Sequence, residues 1–195
     1  MMPSYCQQWR NGFDDAVKTY QRSIYEIALK ECGDRRRVAV DAGAHVGIFT
    51  KRMEEDFQSV FSFEPVPENF RCLANNCGKA TIFNCGLGMF GRRAIMSNPS
   101  PINSGAWEES KEGIETRLIA LDSLGLTDLD LFKMDIQGAE PAALRGAVET
   151  IRLCRPIILT EVMAATKTEI RDILVRWNYR LKREEGDDQV WVPND

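Results

Sequence analysis

Residues 38–64 read VAVDAGAHVGIFTKRMEEDFQSVFSFE, and this stretch decides the fold. Val38–Val40 is a short apolar run rich in β-branched residues, as in a buried strand, and Val60–Phe63 is a second such run. Between them a glycine-containing turn leads into a helix predicted over Ile48–Glu55. Two strands joined by a glycine turn and a helix are the first unit of a doubly wound α/β sheet.

A carboxylate follows each of these strands, Asp41 the first and Glu64 the second. Gly43 and Gly47 allow the main chain to approach a ligand closely, and the start of the helix offers unpaired N–H groups. Glu64 lies about twenty residues past the loop, where a carboxylate accepts hydrogen bonds from ribose hydroxyls. The unit therefore predicts a site for a cofactor that contains adenosine.

The spacing of the glycines distinguishes between two such cofactors. A dinucleotide site of the form G-x-G-x-x-G, starting at Gly43, needs glycine where this chain has His45 and Ile48. The segment from Asp41 to Gly47 instead resembles motif I of class I S-adenosylmethionine (SAM) methyltransferases, D-x-G-x-G-x-G, with His45 at the middle glycine. SAM has no pyrophosphate, so a looser loop suffices. The pattern favours SAM over a nicotinamide cofactor.

The composition is that of an ordinary globular protein. The 195 residues suffice for one domain with a substantial core, and 44% are hydrophobic and 28% charged. The net charge of −4 gives little support to binding of a phosphate backbone, so a nucleic acid acceptor is disfavoured. The first residues, MMPSYCQQWRNGFDD, have no apolar segment of a secretory signal, and no apolar run has the length of a membrane span. We therefore expect a cytoplasmic protein.

The cysteines do not indicate a metal site. Six cysteines and a single histidine occur without a C-x-x-C or H-x-E motif, so no zinc site is predicted. We expect these cysteines to be reduced thiols, most of them buried.

The chain is predicted to form one domain, residues 1–195. Residues 1–34 form a helical cover over one face of the sheet, or alternatively a lid over the cofactor. Residues 88–121 are an insertion that shapes the acceptor pocket, because they contain a long polar loop inside a compact domain. Trp107 in this loop either lines the pocket or attaches the loop to the core.

Further elements follow from periodicity and turn residues. We expect a helix from residue 14 or 15 to 32 and another from 141 to 153. Additional strands are predicted at 81–84, at 129–134, ending in Asp135, and at 156–160, ending at Glu161. Residues 93–96 and 116–121 are predicted to pair antiparallel, and residues 179–182 and 189–192 to form a terminal hairpin.

The order of several motifs resembles that of the FkbM-type methyltransferases. The motifs are VDAGAHVGIFT, FEPVPENF, LDSLGLTDLDLFKMDIQGAE, LRGA and PIILTEV, between about residues 38 and 162. The combination of FEP-x-P with KMD-x-x-GAE is the specific part. The resemblance implies a SAM-dependent enzyme that methylates hydroxyl oxygens on small molecules or sugars, with a Rossmann-like sheet of seven strands whose last strand is antiparallel.

On this resemblance, cofactor roles are assigned to residues of the loop and the strand ends. Gly43, Ala44 and Gly47 contact the methionine part of SAM through the main chain, with His45 against the same part. Asp41 orients the loop or accepts from the SAM ammonium group, with a helix cap as its alternative role. The adenosine end is assigned to Glu64 at the ribose, Pro65 at the adenine slot, and Asn84 with Cys85 at the adenine ring. Asn84 is equally well explained as a turn residue.

Asp135 is assigned both to cofactor binding and to catalysis. It ends the strand predicted to lie next to the first, at the crevice where the strand order reverses. Methylation of an alcohol is helped by a general base, for which Asp135 is preferred over Glu140, Glu161 and His45. Two departures from the family pattern matter here: His45 replaces a common asparagine, and Gln137 replaces the first glutamate of D-x-E-G-x-E. No third ligand accompanies Asp135 and Glu161, so no metal is assigned.

Two other functions remain open at this stage. A nicotinamide-dependent oxidoreductase shares the strand, turn and helix unit but needs different glycine spacing. A non-catalytic interaction module with the SAM fold is compatible with Gln137 at the altered position. The sequence does not indicate an oligomeric state.

Overall fold

The computed structural model describes residues 12–100 and 105–194. In these ranges the strands are β1 Val38–Ala42, β2 Ser59–Phe63, β3 Thr81–Phe83, β4 Gly86–Leu87, β5 Arg92–Ser97, β6 Glu108–Glu109, β7 Ile114–Ile119, β8 Leu129–Met134, β9 Ile157–Glu161, β10 Tyr179–Glu185 and β11 Asp188–Pro193. The α-helices are α1 Phe13–Thr19, α2 Arg22–Cys32, α3 Ile48–Asp56, α4 Pro67–Asn76, α5 Glu140–Arg145, α6 Val148–Cys154 and α7 Lys167–Arg176. A 3₁₀ turn occupies Leu121–Leu124.

The main sheet has seven strands in the order β10-β11-β9-β8-β1-β2-β3. β3, β2, β1, β8 and β9 are parallel, whereas β11 runs antiparallel to both β9 and β10. The predicted doubly wound α/β sheet with its last strand antiparallel is confirmed. The strand order reverses between β1 and β8, so the carboxyl ends of these two strands flank a crevice.

Both faces of the sheet are covered, which explains why its central strands are apolar runs rather than alternating ones. On one face a core forms between the sheet and α5, α6 and α7, including Leu144, Ile151 and Leu174. On the other face α2 and α3 pack against the sheet through residues such as Tyr25 and Met53.

The helix predicted from residue 14 or 15 to 32 is interrupted. Gln21 adopts a left-handed conformation, with φ of 47°, and separates α1 from α2. The buried guanidinium of Arg52 on α3 donates hydrogen bonds to the carbonyls of Val17 and Tyr20, at 2.6 and 2.9 Å. These bonds satisfy carbonyl groups at the end of α1 and hold this helix against α3. The periodicity of apolar residues does not reveal such an arrangement.

The helix predicted over residues 141–153 is also divided, into α5 and α6. A Cβ atom on Gly146 would lie 2.0 Å from the carbonyl oxygen of Gly88. The chain therefore passes the Gly88 turn at a distance that only glycine permits, and the helix is interrupted at this contact.

The insertion predicted over residues 88–121 contains most of a second, smaller sheet with strand order β4-β7-β5-β6. The predicted antiparallel pair is confirmed, since β5 pairs with β7 from Arg92 opposite Leu118 to Met96 opposite Ile114. This sheet stands beside the carboxyl end of the main sheet, because Thr116 donates a hydrogen bond to the carbonyl of Pro65. Residues 101–104, in the middle of the predicted polar loop, lie outside the described residues.

Four cysteines, Cys32, Cys77, Cys85 and Cys154, are buried free thiols as expected. Cys72 is disulfide-bonded, so the expectation of reduced thiols was wrong at this position. Among the described residues, no helix is both long and apolar enough to span a membrane.

Candidate active site

A pocket opens at the crevice between β1 and β8, at the carboxyl edge of the sheet. Its walls come from the glycine loop, the ends of β2, β8 and β9, and the insertion. The lining includes six of the predicted site residues: Gly43, Ala44, His45, Glu64, Pro65 and Asp135. The sequence therefore predicted the location of the pocket and much of its wall.

The glycine loop packs tightly against the end of β8. Gly43 has φ of +78°, and a Cβ atom there would lie 1.9 Å from the carbonyl oxygen of Asp135. The N–H groups of Gly43 and Ala44 both donate to the carbonyl of Phe63, each at 3.0 Å. The loop thus holds its shape through bonds to β2. Its expected main-chain contact with a ligand must use other atoms than these two N–H groups.

Glu64 lies at the pocket wall with its side chain almost fully enclosed. Its carboxylate accepts hydrogen bonds from the backbone N–H groups of His45 and Val66, both at 2.8 Å, and from the Asn69 side chain. Burial raises the pKa of Glu64 to about 7, although these hydrogen bonds oppose the shift. An ionised carboxylate has about four acceptor positions, so capacity remains for a further donor from the pocket.

Asp41 lies beneath the loop rather than in the pocket wall. It is fully buried and pairs with the ammonium group of Lys133 at 3.0 Å, while its other oxygen accepts from the Thr50 hydroxyl at 2.7 Å. Lys133 also donates to the carbonyl of Gly43 at 3.1 Å. This arrangement fits the predicted role of orienting the loop and not that of accepting a hydrogen bond from the ammonium group of SAM.

His45 has φ of 51° and lines the pocket. Burial lowers the pKa of its imidazole to about 4, although Asp135 favours the charged form. The ring is therefore neutral at physiological pH. A base with so low a pKa is poorly matched to deprotonation near pH 7, which leaves His45 suited to contact rather than proton transfer.

Three polar side chains meet at the ends of β8 and β9. The amide nitrogen of Gln137 donates to Asp135 at 3.1 Å and to Glu161 at 2.7 Å. The ammonium group of Lys133 lies 3.9 Å from the Asp135 carboxylate. Glu140, another candidate base, is fully buried outside the pocket lining and accepts from the N–H of Ile136 at 2.9 Å.

The remaining predicted cofactor residues lie outside the pocket lining. Gly47, with φ of +96°, packs against Cys77 and Leu73 at the start of α3. Asn84 donates to the carbonyls of Glu64 and Pro65, at 2.9 and 3.3 Å, and lines a neighbouring cleft. Cys85 is buried in the core on the face of the sheet that α5, α6 and α7 cover. Gly47 and Asn84 thus shape the backbone around the pocket.

Several residues of the pocket wall were not named individually from the sequence, although the predicted insertion and N-terminal segment contain three of them: Tyr20, Ile48, Phe49, Asn69, Met96, Gly105, Lys133 and Ile136. Lys133 carried a readable signal, because a lysine two residues before Asp135 interrupts the otherwise apolar end of β8. Tyr20 carried none, since only the break between α1 and α2 brings it to the pocket. Trp107, for which two positions were open, also lies in the wall.

Across residues 12–100 and 105–194, no group of three or more histidine, cysteine, aspartate or glutamate side chains is arranged to hold a metal ion.

The sheet order and the pocket at its switch point are those of the class I methyltransferase fold. The family model described as the methyltransferase FkbM domain matches residues 41–181, and the chain belongs to this family. The resemblance drawn from the motifs is thereby confirmed. Family membership implies S-adenosyl-L-methionine as the cofactor. No curated protein matches the chain in sequence.

Solved structures share the fold at low sequence identity. An FkbM methyltransferase from Methylobacillus flagellatus is 19% identical with a TM-score of 0.60; the alignment covers 97% of this chain but 55% of that one. A TehB-like SAM-dependent methyltransferase from Corynebacterium glutamicum is 13% identical, TM-score 0.55, with 97% and 96% covered. A putative RNA methyltransferase from Pyrococcus horikoshii is 12% identical, TM-score 0.53, with 93% and 85% covered. This chain thus spans about half the length of the FkbM structure.

Proposed function

We propose that this protein transfers a methyl group from SAM to a hydroxyl oxygen of a small molecule or sugar. The observation that carries the proposal is that a single pocket has Glu64 in one part of its wall and Asp135 in another. The carboxylate proposed to bind the ribose and the candidate base thus face the same space. A single domain over residues 1–195, with the insertion at 88–121 on the acceptor side, is part of the proposal.

The pocket residues fit SAM. Glu64 retains acceptor capacity for a ribose hydroxyl, and Pro65 lies beside it for the adenine. The loop from Gly43 to His45 and the carboxylate of Asp135 would hold the methionine end. When bound, SAM supplies a methyl group attached to a cationic sulfur. An oxygen nucleophile can attack this methyl carbon, with the sulfur as the leaving group.

The acceptor would approach from the side of the insertion. Met96, Gly105 and Trp107 line the pocket there, and an indole ring with a thioether offers an apolar surface for the ring of a sugar or a polyketide-like molecule. Tyr20 contributes from the N-terminal helices. These groups would cover the acceptor and keep water away from it during methyl transfer.

The alternatives have less support. The N–H groups of Gly43, Ala44 and His45 all donate to Phe63 or Glu64, so they are not available to cradle the pyrophosphate of a nicotinamide dinucleotide. A non-catalytic module would bind SAM without turnover. The net charge of −4 remains the argument against a nucleic acid acceptor. The cytoplasmic location expected from the sequence stays a prediction.

The test is methyl transfer from SAM carrying a tritiated methyl group to a panel of sugars and hydroxylated small molecules. We expect label in at least one hydroxylated acceptor, and its deoxy or O-methylated analogue to remain unlabelled. The D135N variant should lower this rate by at least about 100-fold, the usual contribution of a general base. Binding of SAM with no labelled product across the panel and in a total cell extract would favour the non-catalytic module.

The raised pKa of Glu64 predicts how cofactor affinity depends on pH. Ribose hydroxyls donate to the ionised carboxylate, so binding should strengthen as Glu64 loses its proton at about pH 7. We expect the affinity for S-adenosylhomocysteine to rise about tenfold between pH 6 and 8, as measured by titration calorimetry. The stability of the free protein should change in the opposite direction, falling as pH rises from the ordinary glutamate range through about 7.

Two controls assign this dependence to Glu64. The E64Q variant should bind more weakly and lose the rise in affinity. Adenosine, which has the ribose but no amino acid part, should show the same rise in wild type, because it does not approach the carboxylates at the other end of the pocket. An affinity for adenosine that is constant from pH 6 to 8 would contradict the assignment of Glu64 to the ribose.

A further inference from the structure

Gln137 occupies a backbone conformation that side chains rarely adopt, with φ of 53°, directly before Gly138 at φ of +94°. This turn directs the Gln137 amide back to the strand ends. Its nitrogen donates to Asp135 at 3.1 Å and to Glu161 at 2.7 Å, so one amide group serves two carboxyl groups. A side-chain amide has two N–H donors, and both are engaged.

The two carboxyl groups are brought together by the sheet. Asp135 follows β8 and Glu161 ends β9, and these strands pair in parallel with Met134 opposite Thr160. Parallel neighbours end at the same edge, and both side chains line the pocket. Asp135 lies close enough to Glu161 to raise the pKa of that carboxyl group. Two carboxyl groups held by one amide repel each other less when one of them carries a proton.

We propose that Gln137 is a positioning residue that joins Asp135 and Glu161 into one carboxyl pair sharing a single proton at the acceptor side of the pocket. This inference rests on the proposed methyltransferase function and identifies how its base is arranged. Asp135 is the member that accepts the acceptor proton, and the ammonium group of Lys133 lies 3.9 Å from its carboxylate.

The proton transfer balances within this pair. The O–H bond of the acceptor breaks, its proton passes to a carboxylate oxygen of Asp135, and its electron pair remains on the acceptor oxygen. That oxygen forms the new bond to the methyl carbon, and the electron pair of the broken carbon–sulfur bond stays on sulfur. Glu161 keeps its own proton throughout and donates it in a hydrogen bond to Asp135.

The surroundings of Glu161 support this distribution of protons. Burial raises its pKa to about 8, with Asp135, Asp188 and Glu140 adding to the shift. Asp188 lies opposite Glu161 on β11, where its carboxylate accepts from Gln21 at 2.7 Å. The cation of Lys133 and the hydroxyl of Tyr20 face the pair from β8 and from the segment between α1 and α2. These surroundings favour the protonated form of Glu161.

Glutamine at position 137 suits the bridge between Asp135 and Glu161 better than glutamate would. The family pattern that this chain resembles commonly has glutamate there, and an ionised glutamate donates no hydrogen bond. It would place a third carboxylate beside Asp135 and Glu161 and repel both. Glutamine has nearly the same shape and supplies two donors, so it holds the pair without adding charge.

The test follows Glu161 by NMR, in the full-length protein with isotope-labelled glutamate and aspartate carboxyl carbons, over a pH titration. We expect one glutamate signal to titrate at about pH 8 in wild type, and the E161Q variant to lack this signal. The Q137L variant removes both donors and should raise this pKa by about one unit. An ordinary glutamate pKa at Glu161 in wild type, or an unchanged value in Q137L, would overturn the proposal.

The D135N variant tests the pair without changing Gln137. Removing the neighbouring charge should lower the pKa of Glu161 by about one unit, while burial keeps it above the ordinary value. The matched variant D188N should lower it by less, because Asp188 contributes less to the shift. A Glu161 pKa that does not change in D135N overturns the pairing, whether or not Q137L folds.

Cofactor binding separates this inference from the proposed function. Adenosine should bind Q137L within about twofold of wild type, because it does not approach the carboxylates at the other end of the pocket. If wild type binds no S-adenosylhomocysteine but Glu161 still titrates at about pH 8, the proposed function fails and the pair remains. With an acceptor in hand, the acid limb of the kcat profile should move to higher pH in Q137L.

Discussion

The G43A variant is expected to lose most of its stability margin and its cofactor binding. The new Cβ atom would lie 1.9 Å from the carbonyl oxygen of Asp135, and the residue would keep φ near +78°. Left-handed backbone and forced packing together cost about 3 kcal/mol or more. The loop and the end of β8 must separate, which moves two walls of the pocket. Urea denaturation should show the loss, and S-adenosylhomocysteine affinity should fall more than tenfold by calorimetry.

The chain provides a matched control for this substitution. Gly78 has open space around its Cβ position and no positive φ, so the G78A variant should change the free energy of unfolding by less than about 1 kcal/mol. Cofactor affinity should be unchanged in G78A. Equal stability and equal affinity in G43A and G78A would contradict the close approach of the loop to β8.

The K133M variant should be destabilised by about 3–5 kcal/mol, because it leaves the fully buried carboxylate of Asp41 without its ion pair. It also removes the donor to the Gly43 carbonyl. Burial opposes the charge on Lys133, but Asp41 and Asp135 outweigh it and raise the pKa of the ammonium group above its ordinary value. Lys133 thus stays charged at any pH below the ordinary lysine pKa. The loss of stability in K133M should therefore be constant between pH 6 and 9.

A double variant separates the buried charge from the loss of packing. D41N/K133M has no unpaired buried charge, so it should be more stable than K133M alone by at least about 1 kcal/mol in urea denaturation. K182M, which removes a partly exposed ion pair with Glu31, should change stability little. If D41N/K133M is no more stable than K133M, the ion pair does not carry the effect.

The main sheet was readable from the sequence because its signals are local. Apolar runs at Val38–Val40 and Leu129–Met134 mark strands buried on both faces, and glycines mark the turn between strand and helix. The acids at 64 and 135 stand at the ends of strands, and parallel strands all end at one edge. Their presence in one pocket therefore followed from the pattern.

The contacts of individual side chains could not be read in this way. Asp41 and Glu64 look alike in sequence, each a carboxylate after a strand, yet one is paired with Lys133 below the loop and the other lines the pocket. The difference depends on which side of the sheet's edge each side chain faces and on a lysine ninety-two residues further along the chain. Pairing over that separation is decided by packing.

The sequence by itself determined the class of fold, the methyltransferase family and the edge of the sheet that holds the site. Periodicity, glycine spacing and the order of motifs are properties of neighbouring residues. Only the tertiary structure decided that Arg52 on α3 binds the carbonyl of Tyr20 just after α1, which brings Tyr20 to the pocket. The same is true of the hydrogen bonds by which Gln137 joins Asp135 to Glu161. These contacts form because segments distant in sequence compete for the same buried space and the same hydrogen bonds.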